Sequence, residues 1–331
     1  MQNADEKSGH WKWVGLRLIW VFLALLFVAL ALNFLAYVIG EGVAALSISL
    51  TLLFGIPYIL GALAAFLTAP NGKLGGRHYT FAPLMTVPLV LVVGGLILRE
   101  GIVCIMMAFP LWIPMAFGGS LTVRKLQKMR AKRTTIASVF DANIIACVFA
   151  LLLAVDLLHT PQTERFTVTR SVVLDAESGE IWPHLLDLQD IQPAEGRWNF
   201  AQNIMQIPRP SAAVVQGQGI GAVRYAKWGS DIRFEEHITQ WEEEQRLVWA
   251  FAFPDDSISR YTDPHISPDG EHLKILEGGY VLTPLPGGRT KLTLHTRYDA
   301  KTPINLYAAL WGEIALGGIQ SNILKIIEGR V

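Results

Sequence analysis

Glu236 shares strand parity with Ile232, Phe234 and Ile238. Alternation along a strand therefore turns it toward the same inner side as those apolar neighbours. A buried carboxylate needs a cationic partner or a raised pKa. Arg224, in the neighbouring strand-like run 221–228, is a residue of the right type at the right place. The two would form a polar floor for a ligand or an acid/base pair. The plainer alternatives are a structural ion pair, or a Glu236 turned to solvent at a bulge. His237 lies beside Glu236, and His295 shares the parity of Thr293 and Arg297, the outward side.

A second group of candidates sits in segment 254–277. It contains Asp263, His265, Asp269, Glu271 and His272. Imidazoles and carboxylates suit zinc or another divalent ion. However, Pro268-Asp269-Gly270 is an ordinary turn, and the spacing matches no closed metal motif. No metal is expected, and His265, Asp269 and His272 are the candidates should one bind. As a loop at the mouth of a groove, the segment would let His265, with Arg260 and Tyr261, contact a ligand head group. His265 is also the third acid/base candidate beside Glu236 and Arg224.

The run Gly217-Gln218-Gly219-Ile220-Gly221-Ala222 fits the dinucleotide fingerprint G-x-G-x-x-G/A. That fingerprint requires a helix after the glycines, whose N-terminus holds the pyrophosphate. Here the following "AVRYAKW" alternates as a strand. The glycines suit a tight turn or bulge instead, and no nucleotide or other cofactor is expected. No serine has nucleophile-elbow glycines, and Cys104 and Cys147 both lie in apolar runs of the first half.

The elements that must position these residues occupy one half of the chain. Apolar residues make up 51% of the 331 and charged residues only 17%, unevenly spread. Residues 1–158 hold 12 Lys/Arg against 6 Asp/Glu, and 159–331 hold 16 against 22. About 20 apolar residues in a helix cross the ~30 Å hydrocarbon layer. Five such segments are expected, near 13–37, 43–68, 81–98, 101–122 and 136–158, with a re-entrant hairpin over 81–122 as the alternative for the middle two. The first is read as a retained anchor. Eleven basic residues fall in the segments on one side, six of them within 124–133, against Arg99 alone on the other. The positive-inside rule puts the N-terminus in the cytoplasm. An odd number of spans then puts the second half on the far side, periplasmic or extracellular, with a bacterial inner membrane as the setting. The basic loop reads as a topology determinant on an anionic leaflet, not as a nucleic-acid site. Asp141 and Asp156 fall near the two ends of the fifth span.

After a linker at 159–163, residues 164–331 read as a small α+β domain. The strand 165–174 leads into a short helix with Asp175 as N-cap. Strand-like runs follow at 212–216, 221–228, 231–241, 246–253, 278–285 and 289–298. Turns are expected at 242–245 and 286–288, and a long apolar helix at 303–328 closes the chain. Such a curved antiparallel sheet buries one face against the last helix and leaves a groove between them. Tyr225, Phe234, Trp249, Phe251, Tyr280, Leu294, Tyr298, Tyr307, Trp311 and Glu313 are the expected lining. The pair Gly317-Gly318 would let the helix approach the sheet or leave room for a ligand.

The runs "VTRSVVLDAESGEIWPHLLDL", "GQGIGAVRYAKWGSDIRFEEHITQWEEEQRLVWAF" and "EGGYVLTPLPGGRTKLTLHTRY", with the closing helix, resemble the SRPBCC, or START-like, helix-grip superfamily, which includes polyketide cyclase/dehydrase-like proteins. The resemblance covers about 164–329, and segment 254–277 departs from it. The N-terminal half, read from its apolar segments as an all-α transmembrane bundle of about five helices, lies outside the resemblance, which implies a helix-grip fold for the second half. The resemblance also implies a groove for a hydrophobic molecule such as a lipid or isoprenoid, for carriage or sensing beside a membrane. The superfamily equally hosts cyclase/dehydrase-type enzymes, for which Glu236, Arg224 and His265 would supply the chemistry, and modules that bind no small ligand.

Overall fold

The computed structural model describes residues 48–69, 75–98, 102–130, 137–158, 160–255, 257–258 and 267–331. The chain divides into two compact units that part at Thr160–Pro161.

The first unit is helical. A π-helical turn, Thr51–Gly55, runs into α1 (Ile56–Thr68), followed by α2 (Gly76–Leu98), α3 (Ile102–Arg130) and α4 (Ala137–Leu158). Small residues let α1 and α3 touch backbone to backbone. A Cβ on Gly61 would lie 1.9 Å from the Ala116 carbonyl oxygen, and one on Gly119 would lie 1.9 Å from that of Tyr58. Glycine and alanine carry no bulk beyond Cβ, so the two backbones can approach this closely. The Asp156 carboxylate accepts the backbone N–H groups of Leu50 and Thr51, both at 2.8 Å, and so satisfies free donors at that helix start. Of the five expected spans, the first, 13–37, lies outside the described residues. Among the described residues, two helices are long and apolar enough to cross a membrane, Thr51–Thr68 and Ile102–Met129. These helices alone do not support a five-span bundle. The described residues of segment 81–122 fall within α2 and α3, helices of 23 and 29 residues.

The second unit is one eight-stranded antiparallel sheet in the order β1-β8-β7-β6-β5-β4-β3-β2. The strands are β1 (Glu164–Leu174), β2 (Asp187–Leu188), β3 (Pro210–Gln216), β4 (Val223–Trp228), β5 (Ile232–Glu242), β6 (Arg246–Ala252), β7 (Leu273–Leu285) and β8 (Arg289–Ala300). Short helices α5 (Ser178–Leu186) and α6 (Phe200–Asn203) interrupt it, and α7 (Asn305–Glu328) closes the chain. Register shifts between Ile238 and Gln240 and between Ile275 and Glu277 bend the sheet. The curled sheet with the C-terminal helix in its hollow is the helix-grip arrangement.

Two local details differ from expectation, and the glycine run agrees with it. The cap of α5 is Glu177, not Asp175, and Glu180 accepts the Glu177 N–H at 3.0 Å. Strand β7 starts at Leu273, inside the segment read as loop. Gly217, Gly219 and Gly221 have φ of 90°, 77° and 90° and form the β3–β4 turn, a left-handed conformation that glycine adopts without penalty.

Alternation along the strands decides the inner face. Leu292, Leu294, Thr296, Tyr298 and Ala300 are buried at every second position of β8. Leu292 and Leu294 share a core with Leu324, Ile326 and Ile327 of α7 and with Ile181, Trp182 and Leu185 of α5, and Tyr298 and Ala300 pack with Val168 of β1. Helix α7 comes close to the sheet at glycines. A Cβ on Gly312 would lie 2.0 Å from the Tyr298 hydroxyl, and one on Gly317 would lie 2.2 Å from the Arg170 guanidinium. Gly318 faces Asn199 and Ala201 instead, so only Gly317 of the expected pair serves the approach to the sheet.

Candidate functional site

The inner face carries one buried ion pair. Arg224 and Glu236 stand opposite each other across β4 and β5. An Arg224 Nη donates to Glu236 Oε2, and both side chains are about 95% buried, at 5% and 6% exposure. Next in register, Glu236 faces Phe251, Ile238 faces Trp249, and Trp249 faces Gly278. The guanidinium carbon lies 5.3 Å from the Trp249 ring centroid and 5.8 Å from that of Tyr280. These are cation–π distances. Gly278 makes room for the indole, since a Cβ there would lie 2.7 Å from a ring carbon.

Burial sets the electrostatics of this cluster. It pushes the Glu236 carboxyl above the usual carboxylate range, with Arg224 pulling the other way. It also pushes the Tyr280 hydroxyl up. Burial works against the Arg224 charge, yet Glu236 and Tyr280 hold that group above its ordinary value. Two donors in the cluster, Arg224 Nε and Trp249 Nε1, are buried without a hydrogen-bond acceptor. Such donors cost free energy until something accepts from them.

Aromatic side chains extend from this floor. Phe234 packs at 5.9 Å from Phe251 and 5.8 Å from Phe253, and Trp228 lies 5.6 Å from Phe234. Phe251 is half-buried and touches both this group and the central core. Tyr298 belongs to a separate cluster with Val168, Phe166 and Leu316. Burial pushes its hydroxyl up to about 12, and Glu313 adds to the shift. Trp311 packs between Tyr307 at 6.3 Å and Phe200 at 6.5 Å.

The expected lining is therefore divided. Phe234, Trp249, Phe251, Tyr280, Leu294, Tyr298, Tyr307 and Trp311 are buried or half-buried on the inner side. Tyr225 is not. It follows Arg224 directly, so alternation turns it outward, and it is 42% exposed. Glu313 does not reach into the groove either. It pairs with Arg170 of β1 at 2.7 Å on an open surface. His265, with Arg260, Tyr261 and Asp263, lies outside the described residues. The other members of that loop are engaged elsewhere. Asp269 pairs with Lys274 at 3.4 Å and Glu271 with Lys301 at 2.9 Å, and His272 Nδ1 sits 3.1 Å from the Lys301 carbonyl oxygen. Among the described residues, no group of three or more His, Cys, Asp or Glu is placed to hold a metal. His237 is exposed beside Glu235, and His295 is half-buried on the outer face, 3.5 Å from Glu277.

The inner side holds residues beyond the expected lining. Phe253 and Trp228 share the parity of Phe251 and Arg224, and alternation along the strands places both inward. Gln320 gave no such signal. It reaches across from α7 to donate to the Val168 carbonyl at 3.0 Å and to Thr296 Oγ1 at 2.9 Å.

No protein-family model matches the chain, and no curated protein matches it. Solved structures do align with it. An uncharacterized protein from Rhizobium leguminosarum aligns at 14% identity over 52% of this chain and 100% of its own, with a TM-score of 0.29. Truncated norcoclaurine synthase from Thalictrum flavum aligns at 11% identity over 51% and 97%, with a TM-score of 0.31. Ara h 8.0201 aligns at 13% identity over 50% and 97%, also with a TM-score of 0.31. The helix-grip arrangement itself is given by the strand order and the closing helix.

Proposed function

We propose that residues 164–331 bind a hydrophobic small molecule, lipid- or isoprenoid-like, between the curled sheet and α7, for carriage or sensing. The observation that carries this reading is the joined set of an aromatic inner face and two buried donors without an acceptor, Arg224 Nε and Trp249 Nε1. The Arg224–Glu236 pair is neutral as a unit, so what it offers a ligand is a hydrogen bond and not a net charge. An uncharged head group with an acceptor oxygen fits that offer. The N-terminal helices would hold the domain at a membrane, with the N-terminus cytoplasmic and the domain on the far side. Five spans remain the proposed count, supported by the asymmetry of basic residues and by the apolar segments. The tether would raise the local concentration of domain and membrane ligand.

The test is native mass spectrometry of the full chain released from mild detergent, with lipid identification of any adduct. A defined adduct that is lost in the Arg224→Met/Glu236→Leu variant is the expected result. A chain that stays empty after incubation with membrane extract leaves the groove as plain core and sinks the reading. One observation favours a second reading, in which Glu236 serves as an acid/base group of a cyclase/dehydrase-type enzyme. Burial pushes its carboxyl above the usual carboxylate range, the direction an acid/base carboxyl needs. Turnover of an identified adduct, abolished by Glu236→Gln with binding retained, would select that reading.

A further inference from the structure

We propose that the first two turns of α7 dock on the surface of a lipid bilayer, seating Leu306 and Leu310 among its head groups and acyl carbonyls. This rests on the membrane reading above. The run Thr302–Gly312, "TPINLYAALWG", contains no charged residue. Leu306 and Leu310 stand one turn apart and are 78% and 54% exposed.

The start of α7 is fastened to the residues that lead into β1. Asn305 is buried, and its Oδ1 accepts from the Thr302 N–H at 2.8 Å and the Thr302 hydroxyl at 3.0 Å. Its Nδ2 donates to the Gln162 carbonyl at 2.8 Å. The start of α7 is thereby pinned to the residue that leads into β1, and Glu164 of β1 pairs with Ala300 just before the helix. Gln162 is four residues beyond Leu158, the end of the apolar helix α4. Four extended residues span at most ~14 Å. If α4 ends at a bilayer surface, the exposed leucines are leashed to that surface.

The size of the patch argues for lipid and against a protein partner. Two leucine side chains fall well short of the roughly 800 Å² per partner that a stable protein interface takes. A contact held by a short covalent tether needs little area of its own.

The test uses the full chain with Cys104→Ser and Cys147→Ser, reconstituted in nanodiscs of phosphatidylcholine and phosphatidylglycerol. A polarity-sensitive fluorophore is attached at Leu310→Cys or, as the control, at Arg289→Cys. Arg289 begins β8, ~36 Å of strand from Ala300. A nitroxide lipid labelled near the acyl carbonyls is the quencher. Quenching at position 310 at least threefold greater than at 289 is expected. Equal quenching at the two sites, with the chain retained in the nanodisc, overturns the docking and leaves the membrane reading standing. A blue-shifted but unquenched label at 310 is the signature of a protein cover and overturns it too. A chain that stays in solution without lipid or detergent removes the membrane reading, and this inference with it.

Discussion

Breaking the Arg224–Glu236 pair from either side should have unequal consequences, because only one of the two charges can be discharged. Glu236→Leu leaves a guanidinium that stays ionised and is about 95% buried. Stranding a buried charge in this way costs about 3–5 kcal/mol. For a domain of this size that lowers Tm by on the order of 10 °C. Arg224→Met strands a carboxylate that can take up a proton instead. With Arg224 gone, burial acts on Glu236 unopposed, so its folded pKa rises further. A group raised in the folded state contributes stability that is fully present below the unfolded pKa, about 4.3. That stability is lost as pH rises through the folded pKa, with a slope of at most ~1.4 kcal/mol per pH unit. The Arg224→Met variant therefore nears wild type at about pH 5 and falls behind it toward about pH 8, while Glu236→Leu stays low throughout. The double variant, with apolar groups in both places, should return to within about 1 kcal/mol of wild type or exceed it. Hydrogen exchange of the β8 amides in the full chain reads opening of this domain alone. Equal cost for the two single variants at neutral pH, or a flat pH profile for Arg224→Met, would refute the reasoning.

Two further outcomes follow from the packing. Gly312→Ala gains about 1 kcal/mol of helix propensity but places a methyl 2.0 Å from the buried Tyr298 hydroxyl. Overpacking of this kind costs about 1–3 kcal/mol, so a net loss near 1 kcal/mol is expected by thermal unfolding, partly recovered when Tyr298→Phe is added. Tyr225→Ala and Glu313→Gln change only outward or open positions, and adduct occupancy by native mass spectrometry should match wild type in both.

Much of this architecture is legible in the sequence because strand alternation is a strict rule. Glu236 is inward by its parity with Phe234 and Ile238, and Arg224 is the cation on the facing strand. The same rule, applied evenly, excludes Tyr225, which adjoins Arg224 and must face the other way. What alternation cannot supply is contact between elements distant in sequence. Gly312 looks like any helix glycine until Tyr298 of β8 is placed beneath it, and Glu313 looks like a groove residue until Arg170 of β1 is placed beside it. The start of β7 was hidden for another reason: Leu273–Leu276 follows a Pro-Asp-Gly turn and charged residues, whose composition reads as loop. The Glu177 cap carried a weak signal, because Ser, Thr, Asp and Asn are the usual N-cap residues and Asp175 stood two positions away.

The two ends of α7 are held differently, and that difference bears on how a ligand would enter. Toward its C-terminus, Asn322 Oδ1 accepts the Arg197 N–H at 2.7 Å. There is no space for a side chain at Gly196, which has φ of 87° and packs against Asn322. Arg330 donates to both carboxylate oxygens of Glu195 at 2.8 Å, and Gln320 crosses to β1 and β8. Ile319, Leu324, Ile326 and Ile327 are buried around these bonds. The first two turns have Asn305 as their clamp and leave Leu306 and Leu310 exposed. Regions with few buried apolar contacts open at lower free energy than the core around them. Amides of 305–312 should therefore exchange faster than those of 319–327, and a hydrophobic ligand would enter at the end of α7 that carries the exposed leucines. Protection that is uniform along the helix would mean that α7 opens as a single unit, and entry would then require the whole helix to leave the sheet.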